Sequence, residues 1–539
     1  MKFKIQLLST FLCTSLVYAY IEEPGPRYPP TKGELWPKPY HQIKNHSFFT
    51  VRKEHFNFKI INNTCSIVEE AIKNYESIIF SGYTLMQENL NLSNHHLEKK
   101  PWLSNPKYLG ILDVLEISLD IHCNGKEMPS DHMEEAYTII VSEDVKRLKA
   151  FSVWGILRGL ESFSQMIYMT NEGLSLRINK TSVEDRPRFS HRGLLIDTSR
   201  HFIPIKNILL TLDAMAYNKL NVFHWHIVDD QSFPYVSRKF PELSLKGAYT
   251  SYYTYSYKDI QNITEYARVR GIRVIPEFDT PGHTRSWGVA HPEILTACEG
   301  DLKGKYGPID PTQNKTYTFL DDFFEEISNT FADAYIHLGG DEVEFECWSS
   351  STIIKNFMKK NGINDFKALE NFYLQKLINM VAKRNRKYIV WEEVFTNGVK
   401  LPNNAIVQVW KTYWHSVLLE VTNSNRTGIL SSCWYLDHLN TGGDWIQFYN
   451  CEPLSFSSNP KNQLLVVGGE ACMWAEVVNQ NNIMSRVWPR ASATAEKLWS
   501  QRDDNYDLLK VRKRLEEHTC RMNRRGIEAQ PPNGPGFCY

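Results

Sequence analysis

The chain has 539 residues, of which 42% are hydrophobic and 13% aromatic, so it is long enough to bury a large core and to form more than one domain. Lysine plus arginine and aspartate plus glutamate both number 61, and this balance gives no overall field that would attract nucleic acid or an anionic membrane. The composition indicates a globular protein that does not bind nucleic acid.

The N-terminal sequence MKFKIQLLSTFLCTSLVYAY has two lysines, an apolar stretch over residues 5–17, and small residues at Val17 and Ala19. This is the pattern of a cleaved secretory signal, so we predict a signal peptide over residues 1–19. The alternative is an uncleaved anchor, but the apolar run is short for a membrane span, and no later segment is apolar for long enough. We expect the secretory pathway, with the lysosome or the extracellular space as the destination.

Glycosylation sites and cysteines fit that pathway. Candidate N-glycosylation acceptors, each in N-x-S/T without proline, are Asn45, Asn62, Asn91, Asn179, Asn262, Asn314 and Asn425. Ten cysteines become nine once Cys13 leaves with the signal, so at least one thiol stays unpaired or bonds between chains. Cys472, inside VVGGEACMW, has the surroundings of a buried free thiol.

From Asp185 onward the chain repeats one unit, a short run rich in Val, Ile and aromatic residues followed by a loop and a helical pattern. The runs cover residues 194–199, 221–229, 272–279, 334–341, 387–393, 405–410, 428–435 and 464–474. This alternation is typical of parallel β/α units. Eight such units predict a closed (β/α)8 TIM barrel over residues 186–539.

The residues at the ends of these runs are charged or aromatic. In order they are Arg200, Asp229 with Asp230, Asp279 with His283, Asp341 with Glu342, Trp391, Trp410, Tyr435, and Trp474 with Glu476. The C-terminal strand ends of this barrel build the active site, so these side chains should meet at one mouth. Any one of them could be structural, but together they favour a site for a sugar, whose C–H faces stack on aromatic rings while its hydroxyls need polar partners.

The stretch HLGGDEVEFECW places two acids, Asp341 and Glu342, side by side after an apolar run. One interpretation is a helix whose first turn carries acids because they suit the positive end of its dipole. The other is glycoside cleavage, which requires a carboxylic acid to protonate the leaving oxygen. Adjacent residues on one strand end cannot straddle a sugar ring, so the two acids would have to play different roles.

The motifs HRGLLIDTSRHF, NKLNVFHWHIVDDQSFPY, RGIRVIPEFDTPGHTRSW, YIHLGGDEVEFECW and GGEACMWAE, followed by VWPRASATAEKLWS, cover most of the chain in this order. They resemble the β-N-acetylhexosaminidases of glycoside hydrolase family twenty, particularly the animal lysosomal enzymes. The resemblance implies removal of terminal non-reducing GlcNAc or GalNAc by substrate-assisted, retaining catalysis without metal or cofactor. Glu342 would be the general acid and base, and Asp341 would orient the substrate's 2-acetamido group while its oxygen forms an oxazolinium intermediate.

The same resemblance implies roles for the other strand-end residues. Arg200, Asp229 and Glu476 would bind hydroxyls of the terminal sugar, and His283 would lie beside Glu342. The acetamido pocket would be formed by Trp391, Trp410 and Trp474, with Tyr435 donating to the acetamido oxygen. Asp230 and Asp279 would support these contacts from behind, and Arg192 would be structural.

The resemblance further implies a smaller α+β domain over residues 23–185, in which the amphipathic segment FSVWGILRGLESFSQMIY forms a helix on a sheet. The resemblance also implies disulfides between Cys65 and Cys123, between Cys298 and Cys347, and between Cys520 and Cys538. Cys433 and Cys451 depart from the vertebrate pattern and could form a fourth bridge.

Two positions bear on the subtype. Asp437 and His438 resemble the vertebrate β-type chain and favour neutral substrates. A homodimer is expected, but Thr441 stands where animal members carry a tyrosine that reaches the partner's site, so the resemblance does not extend to that contact.

Two other functions are compatible with single features of the sequence. His224 and His226 alternate on a strand and so point to one face, which could indicate a metal-dependent barrel hydrolase. That site needs further ligands on later strands, and the fifth and sixth runs end in tryptophans instead. A catalytically inactive lectin is the third possibility, but a binding protein has no use for the intact pair Asp341 and Glu342.

Overall fold

The computed structural model describes residues 24–89, 105–170, 175–438 and 443–538. The predicted signal peptide at residues 1–19, the acceptor Asn91 and Thr441 lie outside these ranges. None of the described helices is long and apolar enough to cross a membrane.

The N-terminal part is a sheet covered by helices, as the α+β prediction requires. Its strands run in the order β2-β4-β6-β5-β8-β1-β3, with β7 paired to β8. They are β1 (His41–Val51), β2 (Asn57–Ile60), β3 (Tyr108–Leu112), β4 (Val114–Leu119), β5 (Tyr137–Val141), β6 (Lys146–Ala150), β7 (Tyr168–Met169) and β8 (Leu176–Asp185), and the helices are α1 (Ser66–Asn89) and α2 (Val153–Met166).

Helix α2 is buried along its whole length rather than on one face. Toward the sheet it packs so closely that a Cβ on Gly159 would lie 2.2 Å from Cδ1 of Leu148. Toward the barrel, the Arg158 guanidinium donates to the carbonyl oxygens of Arg270 and Gly271, at 3.0 and 2.8 Å. The helix is therefore held between two layers, which a one-faced amphipathic pattern did not indicate.

The second part is a closed barrel of eight parallel strands, which confirms the predicted TIM barrel. A two-stranded hairpin, β12–β13, leaves the barrel before its fourth strand. The strands are β9 (His191–Asp197), β10 (Val222–His226), β11 (Arg273–Glu277), β12 (Leu295–Ala297), β13 (Tyr306–Ile309), β14 (Tyr335–His337), β15 (Lys387–Trp391), β16 (Ile406–Val409), β17 (Thr427–Leu430) and β18 (Val466–Met473).

Fifteen described helices follow in this part of the chain. They are α3 (Ile205–Tyr217), α4 (Glu242–Gly247), α5 (Tyr257–Arg268), α6 (Arg285–Ala290), α7 (Asn314–Thr330), α8 (Phe345–Ser350), α9 (Thr352–Asn361), α10 (Phe366–Ala382), α11 (Glu392–Thr396), α12 (Trp414–Asn423), α13 (Trp445–Asn450), α14 (Pro460–Leu464), α15 (Ile483–Val487), α16 (Arg490–Trp499) and α17 (Leu508–Arg524). Local sequence sets several of their ends. Ser256 and Asp259 form a capping box at α5, and Gly362, with φ +66°, ends α9.

Several predicted strands stop earlier than their apolar runs. The run 334–341 is strand only over Tyr335–His337, because Gly339 and Gly340 turn the chain with φ values of +67° and +95°. A Cβ on Gly339 would lie 1.7 Å from Oδ1 of Asp279. Glycine at position 339 is required both by its backbone conformation and by this close approach.

The interior of the barrel changes from apolar to polar along its axis. Six buried side chains from six different strands form an apolar cluster, namely Val222, Ile275, Tyr335, Ile389, Ile406 and Ile429. Charged and aromatic groups contributed by the C-terminal ends of the strands form the site described below. The apolar cluster fills the barrel, so the site has a solid floor rather than a pore.

The described residues form four disulfides, linking Cys65 to Cys123, Cys298 to Cys347, Cys433 to Cys451, and Cys520 to Cys538. Cys472 is buried and free. Among the described glycosylation candidates, Asn179 is half-buried and the others are exposed, namely Asn45, Asn62, Asn262, Asn314 and Asn425.

A buried cluster of charges joins the two parts of the chain. Glu135, beside the N-terminal sheet, accepts hydrogen bonds from Arg192 of β9 at 2.6 and 2.8 Å and from Arg158 of α2 at 2.8 Å. All three side chains are at most 2% exposed. Arg192 therefore has the structural role expected of it.

We expect Glu135→Ala to destabilise the protein by about 3–5 kcal/mol, because it leaves two buried guanidinium groups without a counter-charge. Glu116→Ala is the matched control, since Glu116 pairs with Arg147 at 2.7 Å on the surface and should cost less than about 1 kcal/mol. Urea unfolding of both variants measures the difference. Equal losses would show that the Glu135 cluster does not stabilise the domain contact.

Candidate active site

Glu277, the last residue of β11, is a fully buried carboxylate at the centre of the site. It accepts hydrogen bonds from Nδ1 of His226 on β10 and from Nε1 of Trp391 on β15, both at 2.7 Å. Nε2 of His224 lies 3.0 Å from it and Nδ1 of His337 lies 3.2 Å from it. One acid thus holds side chains from three neighbouring strands.

The chain of contacts continues on both sides of Glu277. Nδ1 of His224 lies 2.8 Å from Oε2 of Glu470, a residue of β18. Nε2 of His226 lies 2.8 Å from Oδ2 of Asp229, in the loop after β10. Carboxylates and imidazoles therefore alternate from Glu470 to Asp229 across the barrel.

This alternation shifts the pKa values of its members. Burial opposes charge on the imidazoles, but the neighbouring carboxylates raise the pKa of His224 to about 9 and that of His226 to about 10. In return the histidines, again against the effect of burial, hold the pKa values of Glu277, Asp229 and Glu470 well below their usual range. Both histidines are protonated, and the three acids are ionised.

His224 and His226 do point to one face of β10, as the alternation predicted. His226 faces Glu277 and Asp229 through its two ring nitrogens, and His224 faces Glu277 and Glu470. This charge network accounts for the position of both histidines on β10.

Arg200, after β9, is fixed by three carboxylates. Its Nη1 lies 3.1 Å from Asp197 and 3.9 Å from Glu476, and its Nη2 lies 2.9 Å from Asp229. Its guanidinium carbon lies 5.1 Å from the ring centre of Trp474. The group is a rigid fork of donors among acceptors, an arrangement suited to vicinal hydroxyls.

Beside it the predicted aromatic residues come together. The ring centre of Trp391 lies 6.0 Å from that of Trp474 and 6.5 Å from that of Trp410, and Trp410 stacks on Tyr435 at 5.9 Å. Buried Cys472 belongs to the same cluster. The result is an apolar pocket with indole walls.

The orientation of two of the three indoles, Trp391 and Trp410, is set by a hydrogen bond to an acid. Trp391 donates to Glu277, and Nε1 of Trp410 donates to Glu393 at 2.9 Å. Glu393 also lies 2.6 Å from Nζ of Lys411. These two walls of the pocket are therefore held by charged groups behind them.

The two adjacent acids lie at the mouth around His283. Nε2 of His283 is 3.8 Å from Asp341, 3.7 Å from Glu342 and 3.9 Å from Asp279, and its Nδ1 is 3.2 Å from Asp229. Burial opposes charge on His283, but Asp229, Asp341 and Asp279 raise its pKa well above the usual value. Burial, and then the charge of Asp341, raise the pKa of Asp279.

The acids of this pair differ in exposure. The Asp341 side chain is 12% exposed and that of Glu342 is 58% exposed. Helix α8 begins only at Phe345, so the interpretation of both as first-turn helix acids is wrong. Glu342 and His283 instead have left-handed backbones, with φ values of +50° and +54°, a conformation that is costly for residues with side chains and is typical of functional sites.

Two further predicted residues lie at the edges. Burial, and to a lesser degree the charge of Glu476, raise the pKa of Asp437, whose Oδ1 is buried without a partner among the described residues. Asp230 forms an ion pair with Arg285 at 2.7 Å. The structure thus brings all the predicted strand-end residues to one end of the barrel.

Sequence reasoning missed Glu277, Glu393 and Glu470. The available signal was an acid inside or directly after an apolar strand run, as in VIPEFD and VVGGEACMW. A carboxylate on a buried strand must be paired, so such an acid indicates a buried network.

Residues 189–502 match the family described as "Glycosyl hydrolase family 20, catalytic domain", and residues 35–166 match "beta-acetyl hexosaminidase like". The chain belongs to glycosyl hydrolase family 20. This confirms the resemblance drawn from the sequence motifs, and the protein is a glycoside hydrolase.

Relatives of this family 20 enzyme span nearly its whole length. It is 48% identical over 479 residues to "Beta-hexosaminidase subunit beta" of Mus musculus, covering 88% of this chain and 86% of that protein. It is 44% identical over 517 residues to "Beta-hexosaminidase subunit alpha" of Rattus norvegicus, covering 94% of each. The solved structure of Flavobacterium johnsoniae chitobiase superposes with a TM-score of 0.77 at 29% identity, covering 92% of this chain and 73% of that one.

The charge network predicts a pH dependence of stability. Because their pKa values are raised to about 9 and 10, protonated His224 and His226 contribute fully to the free energy of unfolding below pH 6.5. This contribution is lost as the pH rises through about 9 to 10. We expect His224→Gln to lose at least about 2 kcal/mol at pH 6.5 and for its deficit to shrink toward pH 10. Urea unfolding across this range measures the deficit.

His122→Gln is the control, because His122 is exposed on the N-terminal domain. Its difference from the wild type should be small and should not vary with pH. A His224→Gln deficit that stays constant up to pH 10 would contradict the protonated network.

Proposed function

We propose that this enzyme is an exo-acting, retaining β-N-acetylhexosaminidase that removes terminal non-reducing GlcNAc or GalNAc by substrate-assisted catalysis. The observation that carries this proposal is the state of Asp341. Its Oδ1 is buried and has no hydrogen-bond partner among the described residues, and its charge contributes to the raised pKa of Tyr435, a residue of the indole pocket. An unpaired acceptor beside an apolar pocket fits an acetamide, whose N–H donates and whose methyl group needs apolar walls.

In the first step Glu342 gives its proton to the glycosidic oxygen, and the bond from this oxygen to the anomeric carbon breaks. The substrate's acetamido oxygen attacks that carbon, which closes an oxazolinium ring. Asp341 accepts a hydrogen bond from the acetamido N–H and stabilises the positive charge. The Tyr435 hydroxyl, kept protonated by a pKa raised chiefly through burial, donates to the acetamido oxygen.

In the second step Glu342, now a carboxylate, takes a proton from a water molecule. The water oxygen attacks the anomeric carbon from the side that the leaving group had occupied, and the oxazolinium ring opens. Two inversions give net retention. The exposure of Glu342 is consistent with this exchange of leaving group and water.

The rest of the site would bind the terminal sugar. Arg200 would donate to its hydroxyls, and Asp229 and Glu476, which lie 2.9 and 3.9 Å from the guanidinium, would accept from them. Asp437 at the edge adds acidic character that disfavours an anionic substituent, so neutral sugars are the proposed substrates. Relatives named as hexosaminidases support the activity.

We further propose a homodimer, since the relatives are named as subunits. The predicted secretory signal, together with sequons that are mostly exposed among the described residues, supports the secretory pathway, with the lysosome or the extracellular space as the destination. Release of 4-nitrophenol from its β-glycoside of N-acetylglucosamine tests the activity directly. A protein that binds this compound without turnover would instead be a lectin.

Glu342→Gln should reduce hydrolysis of a GlcNAc-β-1,4-GlcNAc disaccharide by about 10²-fold or more, because a positioned proton donor is lost. The 4-nitrophenyl glycoside should lose less, since its leaving group needs little protonation. Glu346→Gln, an exposed acid in the first turn of α8, is the control and should retain activity on both. Equal losses on the two substrates would show that Glu342 is not the acid.

Asp341→Asn should weaken both turnover and binding of a thiazoline that mimics the cyclised intermediate, because the site is complementary to that shape. A β-glucoside with a 2-hydroxyl should be a very poor substrate, since it has no internal nucleophile and leaves Asp341 and Tyr435 unpaired at about 1–3 kcal/mol each. Steady-state kinetics and inhibition constants measure these effects. A covalent sugar ester trapped on Asp341 by a fluorosugar would overturn the mechanism.

A further inference from the structure

A second cavity, of about 300 Å³, opens beside Glu342. Its lining includes Glu342 and His283, the charged residues Arg285 and Glu344, and Gly307 with Pro308 from the β12–β13 hairpin. None of the three indoles of the acetamido pocket belongs to the described lining. The cavity therefore meets the acid from outside the acetamido pocket, and its volume is within the range of small-molecule sites.

The hairpin wall of this cavity is held in place. The backbone N–H of Ile309 donates to the Pro281 carbonyl at 2.9 Å, and a Cβ on Gly307 would lie 2.4 Å from Cβ of Cys347. Cys347 is itself bonded to Cys298. The wall is thus pinned to the loop after β11 and to helix α8.

Arg285 bridges two acids at the cavity. Its Nη1 lies 2.7 Å from Asp230 and its Nη2 lies 2.5 Å from Glu344, and its backbone N–H donates to Asp230 at 2.9 Å. The Arg285 side chain is 48% exposed and that of Glu344 is 66% exposed. A fixed donor and an acceptor are therefore presented together within reach of solvent.

We infer that this cavity is the leaving-group site and that Arg285, with Glu344, selects a neutral sugar as the leaving group. This inference rests on the proposed function. A sugar hydroxyl can accept from the Arg285 guanidinium while a neighbouring hydroxyl donates to Glu344, which an aryl or alkyl group cannot do. The described lining holds three carboxylates, Asp230, Glu342 and Glu344, against two cations, His283 and Arg285, so an anionic leaving group gains no net attraction.

The test compares leaving groups that need the same protonation. GlcNAc-β-1,4-GlcNAc and the methyl β-glycoside of GlcNAc both release an alkoxide-type oxygen, but only the first offers a second sugar. Arg285→Met keeps the apolar stem and removes the guanidinium. We expect kcat/KM to fall about 10-fold on the disaccharide, the factor that one charge-assisted hydrogen bond supplies, and clearly less on the methyl glycoside.

Controls separate this inference from the proposed function and from a structural effect. Arg502→Met removes a similarly exposed arginine, which is paired with Asp504. Arg502 follows α16, and the last residue of α16, Trp499, accepts a hydrogen bond from the backbone N–H of Arg188, just before β9. Arg502 therefore lies in a segment near the N-terminal end of β9. The substitution should leave both substrates unaffected. A wild-type enzyme that hydrolyses none of the GlcNAc glycosides would refute the proposed function itself.

With an active wild type, equal losses on the disaccharide and the methyl glycoside would overturn the role of Arg285 in recognising the leaving group. A shift of the pH profile with the methyl glycoside would do so too, since it would mean that Arg285 acts by tuning Glu342. A disaccharide with a uronic acid as its leaving residue should be hydrolysed more slowly than the neutral one by the wild type. Faster hydrolysis would overturn the preference for a neutral leaving group.

Discussion

The active site depends on the buried carboxylate of Glu277. Its oxygens hold the indole of Trp391, which is a wall of the indole pocket, and the imidazole of His226, which in turn contacts Asp229. An ion this deeply buried is tolerated only when opposite charges and donors surround it. Because the same acid serves both contacts, the indole pocket and the end of the site that contains Asp229 are fixed relative to each other.

The adjacent acids owe their placement to the backbone between β11 and β14. Gly339 can approach Asp279 only without a Cβ, and the N–H of Gly340 donates to Asp279 at 2.7 Å. The chain then passes through Asp341 and reaches a left-handed conformation at Glu342, opposite a left-handed His283. Both strained residues are held by packed neighbours, so Asp341 can face the indole pocket while Glu342 faces the cavity beside Arg285.

The N-terminal domain contributes to this arrangement at a distance. The residues of the charge network and of the indole pocket all come from the barrel, whereas Glu135 and α2 bind Arg192 and the carbonyl groups of Arg270 and Gly271, next to the starts of strands β9 and β11. When a barrel strand is fixed at its first residues, its last residues have a defined position along the barrel axis.

The sequence by itself determined the eight strands, the barrel and the residues at the strand ends. Apolar runs that alternate with helical patterns are visible in the sequence, and the active site of such a barrel lies at the C-terminal ends of its strands. It also pointed to Asp341 and Glu342 as a pair with divided roles. Only the tertiary structure decided which buried and surface charges hold the strand-end residues in place. In the sequence, Glu277, Glu470 and Arg285 look like ordinary strand or surface charges. The partners of such a charge lie dozens of positions away in the chain, as Asp230 and Glu344 do from Arg285.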